Sequence, residues 1–221
     1  MERINKEKNT VGIMTNDGVV LGTERPEKKK LHDGLMNYMH KIDEHLFCSI
    51  SGHLADADAL IDDARVFAQK YTYTYSKNIP IEQLVKMICE EKHYYTLYGS
   101  YRPLGVHFMY AGYDDLVGYQ LYSSDPSGNY YAWKAHATGE NNATLKSDYE
   151  DDMSLRDGLK LAAKVIYKSI DAHDPKNERF EIKYITRIDG KVVIKPIEED
   201  LLSELIEEIK KEIDEEKDKK K

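Results

Sequence analysis

The chain has 221 residues, 41% hydrophobic and 33% charged, which suits one ordinary domain with a buried core. Its 40 acidic residues outnumber 32 basic ones, for a formal net charge of −8, and that balance argues against a general nucleic-acid or anionic-membrane binder, because counterion release needs clustered positive charge. Cys48 and Cys89 are too few for a disulfide scaffold or a zinc cluster, and neither a signal-like stretch in MERINKEKNTVG nor a membrane-length apolar window occurs, so an intracellular, reducing setting is expected.

Thr10–Thr15 (TVGIMT) and Gly18–Glu24 (GVVLGTE) are apolar runs joined by Asn16-Asp17-Gly18, which predicts a tight antiparallel hairpin. After the charged connector ERPEKKKLHDG, Met39–Asp43 and Leu46–Ser51 read as two more strands, ending at Gly52. From Leu54 the period changes. Leu54, Ala57, Leu60, Ile61, Ala64 and Ala68 recur at three and four residues and mark a helix as far as Tyr71. Pro80 opens a second helix, its fixed φ suiting a first turn, with Ile81, Leu84, Val85, Ile88, Cys89 and Tyr95 on the apolar face and Gly99 at the end.

Beyond Arg102-Pro103-Leu104-Gly105, the runs VHFMYAGY, LVGYQLYS and NYYAWKAHAT predict three consecutive strands of an antiparallel meander. Between the last two, Asp125-Pro126-Ser127-Gly128 could hold an acid beside a hydroxyl, but turn chemistry accounts for every residue: Pro126 presets φ, Gly128 tolerates positive φ, and Asp125 bonds its own backbone. Helical periodicity returns in Leu155, Leu159, Ala162, Ala163, Ile166 and Ile170. FEIKYITRI and KVVIKPI then form a hairpin around Asp189-Gly190, and Leu201, Leu202, Leu205, Ile206, Ile209 and Ile213 stripe a last helix that gives way to a charged tail, EEKDKKK. The order predicts an α+β layered domain in which helices cover antiparallel sheets.

The eight histidines are scattered singly, without a helical His-x-x-x-His pair, so a metal site is not expected. No phosphate-binding glycine motif is present, and the acidic residues of GHLADADAL suit the positive end of a helix dipole. Glu90-Glu91 and Asp151-Asp152 read as solvated charge rather than a proton-sharing pair. Asn142-Ala143-Thr144 matches a glycosylation sequon, without consequence in an intracellular chain. Seventeen tyrosines suggest amphipathic contact surfaces, as in an assembly subunit or a free-standing interaction module.

Five segments carry a resemblance across nearly the whole chain: TVGIMTNDGVVL from Thr10, SGHLADAD from Ser51, YGSYRPLGV from Tyr98, YQLYSSDPSGN from Tyr119, and WKA from Trp133. In this order they resemble the proteasome alpha subunits. The resemblance implies an N-terminal-nucleophile-hydrolase-like four-layer αββα sandwich of two antiparallel sheets flanked by helices. It also implies a place in the outer ring of the 20S core particle beside neighbouring alpha subunits and beta subunits, with a part in ring assembly, substrate gating and ubiquitin-dependent protein degradation in cytoplasm and nucleus. No cofactor, nucleic acid or membrane is implied.

Catalysis in that superfamily needs a free N-terminal Thr whose α-amine is the base, with an Asp and a Lys nearby. The resemblance places Lys8, Glu24 and Tyr38 at those three positions, so a non-catalytic subunit is expected, the alternative being a hydrolase that exposes Thr10 after processing. Two departures stand out. Only MERINKEKN precedes the first strand where alpha subunits carry a gate tail and a short helix, and GENNATLKSDY is shorter than its counterpart, implying a helix reduced by about one turn. The expected organisation is a residual segment 1–9, a proteasome alpha-type domain 10–213 and a charged flexible tail 214–221. The pocket that receives C-terminal tails of regulatory-particle ATPases is implied at Tyr38, Lys41, Gly52 and His53; Tyr38 replaces a lysine that many alpha subunits offer to the tail carboxylate.

Overall fold

The Asn16-Asp17 turn joins β1 (Thr10–Thr15) to β2 (Gly18–Glu24), closing the hairpin with Thr15 opposite Gly18. This computed structural model describes residues 9–26, 37–99, 101–138, 145, 147–170 and 175–218; residues 1–8 with Lys8, the sequon and most of GENNATLKSDY lie outside them. β3 (Met39–Asp43) and β4 (Leu46–Gly52) pair antiparallel, and two helices follow, α1 (Leu54–Tyr75) and α2 (Ile81–Leu97). α1 continues past the expected Tyr71 until Ser76, whose left-handed φ of 53° and N–H to the Thr72 carbonyl cap it.

β5 (Val106–Asp114) and β6 (Gly118–Ser124) form as expected. The third expected strand is two. β7 (Tyr130–Ala132) pairs with β6, whereas β8 (Ala135–Thr138) pairs with β1 in the other sheet. Trp133 still donates its N–H to the Leu121 carbonyl of β6, and one residue later the Lys134 carbonyl accepts from Met14 of β1. The meander therefore ends at Ala132, and the chain changes sheets within two residues.

α3 (Leu155–Ser169) is capped by Ser154, whose hydroxyl accepts from the Asp157 N–H. β9 (Phe180–Ile188) and β10 (Lys191–Pro196) turn at Asp189-Gly190, with φ of 51° and 78°. α4 (Glu199–Asp218) runs through Asp218, so residues 214–218 of the expected flexible tail are helical. Oppositely charged residues four apart, Glu207–Lys211 and Lys211–Glu215, sustain a helix that no Gly or Pro interrupts.

The strands form two antiparallel five-stranded sheets, ordered β10-β9-β2-β1-β8 and β3-β4-β5-β6-β7. Three apolar cores separate four layers. Ile50, Leu60, Leu84, Ile88 and Phe108 lie between α1–α2 and the second sheet. Val19, Leu21, Phe47, Met109 and Leu121 lie between the sheets. Val11, Ile166, Ile182, Leu205 and Ile209 lie between the first sheet and α3–α4. A charge ladder staples the outer helix pair, with Arg156 2.7 Å from Glu204 and Lys160 2.9 Å from Glu208 and 2.7 Å from Glu212. The architecture is the expected helix-flanked sandwich. No helix among the described residues is long and apolar enough to cross a membrane.

The β6–β7 turn is the DPSG segment, organised by the Asp125 carboxylate. Asp125 Oδ1 accepts from the Ser127 N–H at 2.9 Å, the Ser127 hydroxyl at 2.6 Å and the Asn129 N–H at 3.0 Å. Burial alone would raise the Asp125 pKa, but these bonds from Ser127 and Asn129 together hold it below the ordinary carboxylate value. Gly128 sits at φ 90°, where an added Cβ would stand 2.6 Å from the Cys89 carbonyl oxygen of α2. Gly128→Ala therefore combines backbone strain with a clash against backbone, and is expected to destabilise the chain by more than about 1 kcal/mol. An unchanged urea midpoint would contradict this.

Candidate functional site

At the end of the inter-sheet space, β1, the end of β2 and the approach to β3 converge, bringing Thr10, Glu24 and Tyr38 together. Thr10 is 2% exposed and internal to the chain. Its nitrogen is a peptide N–H donated to Thr138 Oγ1 at 3.1 Å, its carbonyl accepts from that hydroxyl at 3.3 Å, and its own Oγ1 accepts from Thr23 at 3.5 Å. Among the described residues, this hydroxyl meets other hydroxyls and its nitrogen is an amide, so neither supplies a base to activate it. Glu24 accepts from Arg179 Nη2 at 2.6 Å, which removes it as a free carboxylate.

The hub of this end is Glu181 of β9, whose side chain is 2% exposed. Its Oε2 accepts from Arg25 Nε at 3.2 Å and from the Tyr38 N–H at 2.9 Å, while Lys183 Nζ stands 3.4 Å from Oε1 and donates to the Met39 carbonyl at 3.0 Å. Arg25 and Arg179 add reciprocal backbone contacts, from Arg25 N to the Arg179 carbonyl at 2.7 Å and from Arg179 Nε to the Arg25 carbonyl at 3.0 Å. A cleft of about 520 Å³ flanks this joint, with Arg25, Phe180, Glu181, Lys183 and Leu202 in its walls. Among the described residues, no three His, Cys, Asp or Glu side chains gather as metal ligands.

The four residues implied for tail docking divide into two groups. Tyr38 is buried, 3% exposed, and its carbonyl accepts from Ile50 at 2.8 Å, so it lies opposite Ile50, two residues before Gly52. The β3–β4 register is regular from Met39 to Lys41 and irregular only between Lys41 and Asp43. Three positions along a regular strand reverse the face, so Lys41 points away from the Tyr38 side, and its ammonium pairs with Glu44 at 2.5 Å. Gly52 and His53 are adjacent at the start of α1. Gly52 has φ 121°, and an added Cβ would collide with the Gly105 carbonyl oxygen, which accepts the His53 N–H at 2.9 Å. The His53 side chain is 64% exposed.

Beneath His53 lies a pair that sequence reasoning did not single out. Asp56, in the first turn of α1, receives Arg102 Nη1 at 2.6 Å and Nη2 at 2.7 Å, a bidentate clamp, and the Gly105 N–H at 3.1 Å. Asp56 belongs to the SGHLADAD segment and Arg102 to YRPLG, so the clamp ties those two segments together in the fold. The Arg102 bonds hold the Asp56 carboxyl below the ordinary Asp range. Among the described residues, exposed tyrosines and leucines lie elsewhere, with Tyr94, Leu97, Tyr98 and Tyr101 around the end of α2.

The proteasome subunit family model matches residues 5–185. The chain is 44% identical over 192 residues to "Proteasome subunit alpha type-4" of Dictyostelium discoideum, covering 83% of this chain and 77% of that protein. It is 43% identical over 199 residues to the alpha type-4 subunit of Spinacia oleracea, and 42% identical over 199 residues to alpha type-4-A of Arabidopsis thaliana, covering in each case 87% of this chain and 80% of the relative.

The clamp has a definite pH signature. Because the folded Asp56 pKa is depressed, its contribution is present above the ordinary value of 3.8 and is lost as pH falls through the folded value. Asp56→Asn is expected to cost about 1–2 kcal/mol at neutral pH, less than a fully buried charged bond because Arg102 is largely solvated. Denaturant unfolding across pH should show that difference closing in acid; a gap independent of pH would count against the clamp.

Proposed function

This chain belongs to the proteasome subunit family, and from that footing we propose that it supports ring assembly, helps gate substrate entry and receives regulator tails at the outer face of the 20S core. It is a non-catalytic alpha-ring subunit that assembles with other proteasome subunits. The observation that carries the non-catalytic reading is Thr10: it opens β1 within the chain, its nitrogen is a peptide N–H, and the acid and lysine positions hold a paired Glu24 and a buried Tyr38. The segment QLYSSDPSGNYYAWKA supports likeness to the type-four subunits in particular. Its partners in this reading are neighbouring alpha subunits, beta subunits and the tails of regulatory ATPases, in cytoplasm and nucleus.

Two features support tail docking next to Gly52. The imidazole of His53 is exposed, and the first turn of the 22-residue α1 directs its N–H groups toward that surface, where an incoming carboxylate is favoured. Tyr38 supplies no cation, and Lys41 lies on the opposite strand face in a pair with Glu44. Docking at this interface is therefore weaker than where a lysine occupies the position of Tyr38.

Two measurements test this reading. The purified chain is expected to release no product from fluorogenic peptides, whereas activity abolished by Thr10→Ala would overturn the non-catalytic assignment. In assembled particles, Tyr38→Lys should tighten binding of a regulator-tail peptide by about 1 kcal/mol, roughly fivefold, since bonds between charged groups exceed neutral ones by that order. Equal affinity in wild-type and substituted particles would remove Tyr38 from the pocket.

A further inference from the structure

Lys92 of α2 is a fully buried lysine without an ion pair among the described residues. Its Nζ donates to the Val106 carbonyl at the start of β5, 3.1 Å away, and lies 2.8 Å from Ser124 Oγ at the end of β6 and 4.6 Å from the centre of the Phe108 ring. The Tyr110 hydroxyl is 3.1 Å from the same Ser124 oxygen. The titratable groups around it are Cys89 from α2, Cys48 from β4, His107 and Tyr110 from β5, and Asp125 from the β6–β7 turn. None is a contacting countercharge. The Asp125 carboxylate is occupied by Ser127 and Asn129, burial pushes the Cys48 thiol up to about 12 and Cys89 to about 11, and Tyr110 rises well above its ordinary value. Burial likewise takes His107 down to about 4, leaving it uncharged.

We propose that Lys92 works as a neutral amine, the hydrogen-bond hub that ties α2 to the start of β5 and the end of β6, and that its protonation is an acid-operated loosening of this corner. The geometry suits an amine better than an ammonium. A neutral amine has two N–H donors, and the site offers two oxygens for them: the Val106 carbonyl takes one and Ser124 Oγ the other, with the Tyr110 hydroxyl hydrogen-bonded to the same Ser124 oxygen. An ammonium adds a third donor and a charge where no carboxylate is in contact, and only the Phe108 ring face favours it. The loosening reaches the β6–β7 turn, because Gly128 lies against the Cys89 carbonyl one helical turn before Lys92.

The direction of the pH effect follows from linkage. Burial lowers the Lys92 pKa to about 7, whereas lysine in an unfolded or opened segment holds its proton to about 10.4. The penalty is therefore complete below about 7 and fades as pH rises toward the free-lysine value. Between about pH 8 and about pH 6 the opening constant of this corner should rise about tenfold.

The test uses the full chain with 13C at the lysine ε carbon. One lysine resonance is expected to titrate near 7 and to be missing from Lys92→Met. Hydrogen exchange, corrected for intrinsic rates, should show the tenfold loss of protection in residues 81–97 on acidification, with residues 155–169 less affected and Lys92→Met lacking the response. Should Lys92→Met not fold, the wild-type resonances decide alone. The proposal is overturned if every lysine titrates above about pH 9, or if residues 81–97 and 155–169 respond equally to pH.

Discussion

The carboxylate of Glu181 binds together segments remote in sequence and belonging to different sheets. Glu181 and Lys183 lie on β9 of the first sheet, Arg25 follows β2 of the same sheet, and Tyr38 and Met39 lead β3 of the second. A buried charge stripped of a partner is costly, about 3–5 kcal/mol; Arg25 and the Tyr38 N–H hold Glu181 Oε2, and Lys183 stands 3.4 Å from Oε1, which has no hydrogen bond of its own among the described residues. This joint links the two sheets at this end, where the apolar layer of Leu21, Met39, Phe47 and Leu121 packs between them.

The same joint explains why this end of the sandwich does no chemistry. A hydrolytic site needs a hydroxyl or thiol beside a base whose protonation state is free to change. Here Thr10 is bonded to Thr23 and Thr138, and Glu24 and Glu181 are each fixed by arginine. The charges that would tune a nucleophile are spent on holding strands. A rigid block with an exposed α1 start and exposed tyrosines at the end of α2 suits a ring component, whose role is to present surfaces in fixed register.

Local signals were legible in the sequence and remote ones were not. Asn16-Asp17-Gly18 and Asp189-Gly190 define hairpins by turn chemistry within four residues, and both strand pairs form there, β10 ending at Pro196, one residue short of the expected run. The sheet change at Trp133-Lys134 has no local signature, since the segment remains extended on both sides and only the partner strand differs. The Asp56–Arg102 clamp joins residues 46 apart, which no periodicity reports. Lys92 is instructive in another way. It continues the apolar stripe of Ile81, Leu84, Val85, Ile88 and Cys89 at the correct spacing, so the period marks it as buried, but its charge set it aside from the core. At Lys41 the resemblance allowed either of two residues to face the pocket, and the regular register of β3 separates them onto opposite faces.

The most direct measurement of the central claim is native mass spectrometry of complexes isolated from cells, with intact-mass analysis of each released chain. A non-catalytic alpha-ring subunit should be recovered inside a particle containing other proteasome subunits, with Thr10 preceded by at least Asn9 in the released chain. A chain that begins at Thr10, or one found only outside such particles, would contradict the account.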